Sequence, residues 1–328
     1  MARKEGERLI ILPDEEADSS TSGGRPIGSE FYEVSRKLAF MDKHDIAISV
    51  VSPANPWIDF VEPVEAHTLA ALLNEDLEAI CAVSAGRLYG FGVLPLQRPE
   101  TCAAELKRLA GYPHMRGVII GSAGRGKGLD DPAFDPIWRT AEELGLFIFV
   151  HPHYGVGHEL FADTGHAMML AMGFTFETSI AVARLILRGA LERHPGLKLL
   201  IAHAGGTLPY LAGRLDSCVN NDISKDFGLP QPPSHYLRQC WYDSIAYHPP
   251  ALAALTAFAD PAKIMFGTDH PFFRPHVADA QLDRATWPVA EENFHALSSL
   301  GSDKQKAIAF ENGLKAFGIS LPPSQRLS

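Results

Sequence analysis

Seven short apolar runs, each parted from the next by a stretch with helical spacing, constrain this chain more than any other feature. The runs are 46–52, 88–94, 116–120, 146–150, 198–202, 239–243 and 264–266, and they read as strands. Helical spacing marks 32–42, 66–84, 100–110, 134–144, 179–188, 208–218 and 250–259, and recurs along 290–317. Strands alternating with helices in this way predict parallel βα units, hence a doubly wound sheet or a (β/α)8 TIM barrel. No GxGxxG follows the first strand, and reactive residues stand at several strand ends rather than at one switch point, so the barrel is favoured. Seven strands are one short of closure. Either the apolar run 9–12 is the first strand, or that strand lies outside this sequence.

Three strand ends carry chemistry. In KIMFGTDHPFFR the apolar run Ile264, Met265, Phe266 stops at Gly267, and Asp269 follows at once. The strand 146–150 runs into His151 in VHPH, and 198–202 runs into His203 in IAHAGG. Loops after the carboxyl ends of parallel barrel strands build one face, so these three groups are expected together. Two imidazoles and a carboxylate are ligands that Zn²⁺ and similar divalent ions accept. Taken singly, Asp269 is also an N-cap residue type, and His270 reads as a packing residue. Asn55 and Trp57 flank Pro56 in SPANPW, where an asparagine serves turn geometry or a ligand.

Composition narrows the class. With 328 residues, 46% hydrophobic and 21% charged, the chain fits a single domain over 1–328, with a loop-rich segment at 1–31 and a loose tail at 318–328. A net charge of −10 without a lysine or arginine block argues against a nucleic-acid partner. The apolar run near the start is too short for a signal peptide or a membrane span, so no membrane partner and a cytoplasmic location are expected. Cys81, Cys102, Cys218 and Cys240 form no CxxC pair. GSAGRGKG at 121–128 approaches a phosphate-binding loop, but Gly128 replaces the required hydroxyl residue and LDDP continues as loop. Met168, Met169 and Met172 read as core or pocket lining.

The motifs VHPH, AHAGGTLPYLAGR and MFGTDHPF, in this order and with ANPW after the first clear strand, resemble the decarboxylase branch of the amidohydrolase superfamily. That branch includes aminocarboxymuconate-semialdehyde decarboxylase and the fungal isoorotate (uracil-5-carboxylate) decarboxylases, and the likeness to the latter also covers GKGLDDP and HPHYG. The resemblance implies a metal-dependent decarboxylase of a small planar carboxylate. His151 and Asp269 would be metal ligands, Asp269 would also move a proton, and His203 would be catalytic beside the metal, most simply Zn²⁺. Arg25 and Asn55 are implied as substrate contacts, Phe272 as a pocket wall, and a homodimer as the assembly. The family opens with a strand ending in His-x-His, two further ligands that have no counterpart before Arg25; the His-x-His of this chain is His151 and His153, with His153 beyond its strand end. Weakened metal affinity is the expectation. Two other readings stay open: a metal-dependent hydrolase of a lactone or amide, and a shortened, non-catalytic chain.

Overall fold

The computed structural model describes residues 8–9, 25–124, 126–153, 155–161, 163–273 and 285–321, with backbone only for 8, 9, 25, 26 and 158. All seven expected strands form. They are β3 (Ser49–Val51), β4 (Leu88–Val93), β5 (Met115–Gly121), β6 (Phe147–His151), β7 (Lys198–Ile201), β8 (Trp241–Asp243) and β9 (Ile264–Met265). Each pairs in parallel with its sequence neighbour, giving the order β3-β4-β5-β6-β7-β8-β9. The sheet curls as a barrel without closing, since among the described residues no strand joins β9 to β3. Leu9 does not fill that place. β1 (Arg8–Leu9) pairs antiparallel with β2 (Arg25–Pro26) in a ladder of its own, and 10–12 lie outside the described residues.

Period-two alternation sorts the strand side chains into two cores. Phe91, Ile119, Phe147, Leu200 and Met265 point into the barrel, where Val50, Phe149 and Trp241 join them. Val118, Ile120, Ile148, Val150, Leu199, Ile201, Tyr242 and Ile264 point outward against the helices. Those helices are α1 (Val34–Lys43), α2 (Pro63–Ala82), α3 (Pro99–Ala110), α4 (Asp135–Leu144), α5 (Phe174–Leu187), α6 (Ala190–Arg193), α7 (Leu208–Asn220), α8 (Pro233–Gln239) and α9 (Pro249–Phe258). α10 (Pro288–Ser298), α11 (Ser302–Lys306) and α12 (Asn312–Phe317) close the chain, and Phe317 packs against Phe147 with ring centroids 4.8 Å apart.

Two expectations shift. The helix expected at 179–188 begins earlier, because a π turn at Met169–Gly173 runs straight into α5. The segment Met169–Leu187 is long and apolar enough to cross a membrane, yet half of it is buried in this fold. The three methionines also divide: Met169 is buried, whereas Met168 and Met172 are exposed. Helical geometry turns adjacent residues about 100° apart, so methionines close in sequence need not share a face.

Candidate active site

Strand parity aims the first group. In β6, Phe147 and Phe149 point into the barrel, so His151, two residues on, points the same way at the end of the strand. Gly145 in the left-handed conformation ends α4 and turns the chain into this strand. Nδ1 of His151 lies 2.7 Å from the carbonyl oxygen of Pro152, which can only accept, so the proton sits on Nδ1 and the Nε2 lone pair is left for a ligand. Burial, with the neighbouring His203, holds this imidazole down at about 3.

His203 is built differently. After β7 the chain takes positive φ at His203, Ala204, Gly205 and Gly206 in succession. A left-handed turn costs about 1–2 kcal/mol at each non-glycine residue, so this one must be held by its surroundings. Glycine is required at the last two positions: a Cβ at Gly205 would stand 2.7 Å from the Tyr242 ring, and one at Gly206 would stand 2.5 Å from the Thr175 carbonyl oxygen. The turn brings the His203 ring to 5.0 Å from that of His151. Burial lowers the His203 pKa to about 4, and its Nδ1 is buried without a hydrogen-bond partner among the described residues.

Asp269 follows β9 through Phe266, Gly267 and Thr268. Asn293 of α10 donates to the Gly267 carbonyl at 2.8 Å, Trp287 donates to the Phe272 carbonyl at 2.6 Å, and the Phe266 N–H donates to Ile308 at 2.9 Å. Helices thus support the carboxylate end of the site. One ligand atom each from His151, His203 and Asp269 lies within 4.8 Å of the others. Two donors on one ion stand at most about 4.2 Å apart at bond lengths near 2.1 Å. The set therefore fits a divalent metal after shifts of under about 1 Å, with neutral imidazole nitrogens and a carboxylate as donors.

These groups line a cavity of about 1290 Å³ that also meets Asn55, Phe272, Lys37 and the barrel-lining Val50, Phe149 and Met265. Asn55 is buried. Phe272 meets Phe31 edge-on at 5.6 Å. Arg25 lies in β2, and its side chain is outside the described residues. A second cavity of about 640 Å³ sits in the outer helical layer and holds none of the convergent groups; its Arg184 and Arg193 are paired with Asp130 and Asp135.

His153 and His270 have other work. His153 is fully buried, with Nδ1 2.9 Å from an Asp59 carboxylate oxygen, and does not join the ligand set. His270 stacks on Phe40 at 3.8 Å, and burial pushes its pKa down to about 2, the state of a packing residue. Sequence reasoning passed over two carboxylates. Glu177 accepts from the Ser122 hydroxyl and from the N–H groups of His153 and Gly155, tying down the loop after His151. Asp243 ends β8 beside His203; burial pushes its pKa up to about 6 against three backbone N–H bonds. An acid ending an apolar strand was the signal that singled out Asp269, and it applied equally to Asp243.

A sequence profile of the Amidohydrolase family matches residues 36–319. The chain belongs to the amidohydrolase family. It is 30% identical over 291 residues to the 2-amino-3-carboxymuconate-6-semialdehyde decarboxylase of Dictyostelium discoideum, covering 86% of this chain and 80% of that one. The crystal structure of IDCase from Metarhizium anisopliae, in its apo form, superposes with a TM-score of 0.89 at 36% identity, over 97% of this amidohydrolase and 90% of that chain. Dihydroxybenzoic acid decarboxylase from Polaromonas sp. JS666, solved with bound manganese and 2-nitroresorcinol, shares the fold at a TM-score of 0.75 and 22% identity, covering 94% of this chain and 90% of that one.

Proposed function

We propose that this amidohydrolase is a metal-dependent, non-oxidative decarboxylase of a small planar carboxylate of the uracil-5-carboxylate, phenolic acid or aminocarboxymuconate semialdehyde type. The observation that carries the reading is the convergence of His151, His203 and Asp269 at one end of a large, mainly apolar cavity. The kinship with decarboxylases supports the choice of reaction. A divalent metal held by His151 and Asp269, with His203 beside it, would supply Lewis acidity and a fixed orientation for the substrate's oxygens. We take zinc as that ion, since imidazole and carboxylate suit it.

The residues themselves do the rest. Asp269, in its protonated form when substrate binds, delivers that proton to the carbon that bears the substrate carboxylate and is left as the carboxylate; the carbon–carbon bond then breaks, its electrons restore the substrate's conjugated system and carbon dioxide leaves. His203, which lines the cavity beside His151, bonds a substrate oxygen through a ring nitrogen, and Asn55 fixes the substrate edge by hydrogen bonding. Phe272, braced by Phe31, walls the flat face of the ring and keeps water out. Arg25 pairs with an anionic substrate oxygen.

The test is carbon dioxide release from uracil-5-carboxylate, 2,6-dihydroxybenzoate and 2-amino-3-carboxymuconate semialdehyde, with zinc or manganese supplied and metal content measured alongside. Release from at least one acid is expected, with kcat about 10³-fold lower in Asp269→Asn. A folded protein carrying about one metal per chain that releases no carbon dioxide from any of them would overturn the proposal.

A further inference from the structure

We infer that Asp243 is the positioning residue of the site, a carboxylate that clamps the left-handed turn after β7 and so aims His203 at His151 and the substrate; this rests on the decarboxylase reading for its kinetic consequence. The β7–β8 ladder ends at the pair Ile201 and Tyr242. Beyond it the chain cannot continue as a strand, because His203 and Ala204 both have positive φ. Their N–H groups leave the ladder and would be stranded in a buried place. Asp243, one residue past the last pair on the next strand, receives them instead. Its Oδ2 accepts from His203 N–H at 3.0 Å, and its Oδ1 accepts from Ala204 N–H at 2.8 Å. Oδ1 also accepts from Ile245 N–H at 3.0 Å, which anchors the carboxylate to its own loop.

The geometry distinguishes this role from direct chemistry. Asp243 is buried and shares the parity of Trp241, so it faces the barrel interior, yet both of its oxygens are engaged by backbone donors. It is not one of the three groups whose ligand atoms converge. What it controls is the direction of the His203 side chain: an extended residue there would lean its ring along the strand rather than across to His151. Two oxygens are needed. An amide has a single acceptor, and its NH₂ would face at least one of the three N–H donors.

The experiment compares Asp243→Asn, Ala204→Gly and the double variant, using the full chain. Amide hydrogen exchange at His203 and Ala204 and the ring signals of ¹⁵N-labelled His203 are read together with kcat, KM and Tm. Asp243→Asn is expected to speed exchange at both amides at least about tenfold and to shift the His203 signals. It should also lower kcat about 10²-fold, with KM changed by less than about threefold, the pattern of a misplaced group. Adding Ala204→Gly should restore about tenfold of that kcat, because glycine holds the left-handed turn without a Cβ penalty. Unchanged exchange in Asp243→Asn would overturn the inference, as would a kcat loss that follows Tm and that Ala204→Gly does not relieve. Should the parent chain decarboxylate nothing, the exchange and ring signals still decide the role of Asp243, so the two failures are separable.

Discussion

The two sides of the barrel hold the site by different means. The arc from β4 to β8 is a parallel ladder with one register shift, at Gly90 and Phe91, and its two histidines are aimed by strand parity and by buried carboxylates. The seam between β9 and β3 has strands of two and three residues, and it opens into the cavity of about 1290 Å³. Yet the seam supplies Asp269 and Asn55. There the backbone bonds that a neighbouring strand would make go to helices: Asn312 donates to the Ile264 carbonyl at 2.7 Å, and Asn293 donates to the Gly267 carbonyl at 2.8 Å. A sheet can thus end next to a reactive centre when asparagines from outside satisfy its carbonyls.

Substitutions can break this contrast. Phe147→Ala, in the middle of the arc where the ring meets Trp241 at 5.2 Å and Phe317 at 4.8 Å, is expected to lower the unfolding free energy by about 4 kcal/mol. Val50→Ala at the seam should cost only about 1 kcal/mol, since that side chain already borders open space. Urea denaturation of both variants checks the pair, and equal losses would erase the distinction. Asn312→Ala comes next, at about 2 kcal/mol, because it strands the carbonyls of Pro261 and Ile264. A loss below about 0.5 kcal/mol in the same assay would mean that water replaces the asparagine.

An effect about as small as that of Val50→Ala sharpens the contrast electrostatically. Lys37 lines the seam cavity with its amine 4.9 Å from the centre of the Phe40 ring, and desolvation lowers its pKa to about 8. The folded pKa lies below the unfolded value, so the unfolded chain binds more protons between the two. Stability from this group is therefore fully present above about 10.5 and is lost as pH falls through about 8. Lys37→Met should raise stability at pH 7 by about 1 kcal/mol, after allowance for partial exposure, and the gain should shrink as pH rises towards 10. Paired thermal melts across that range measure it. A gain that stays constant with pH would show that packing, not the buried charge, is responsible.

Much of this architecture follows from local pattern. Apolar runs bounded by polar turns located all seven strands, and a carboxylate or imidazole just past such a run located His151, His203 and Asp269, because backbone parity and strand direction carry these features without knowledge of distant partners. Tertiary structure decided the rest. The run 9–12 was a strand candidate by pattern, but Leu9 found an antiparallel partner at Arg25, and pairing is a long-range choice. The sequence set His153 beyond its strand end without naming a partner for it, and the fold placed Asp59 against it, 94 residues away in sequence. The roles of Asp243 and Glu177 are likewise invisible locally, since each carboxylate acts on backbone N–H groups of another element. Sequence by itself determined that His151, His203 and Asp269 stand just past the carboxyl ends of barrel strands; only the packed chain decided which way they point, because direction depends on bonds closed between residues far apart along it.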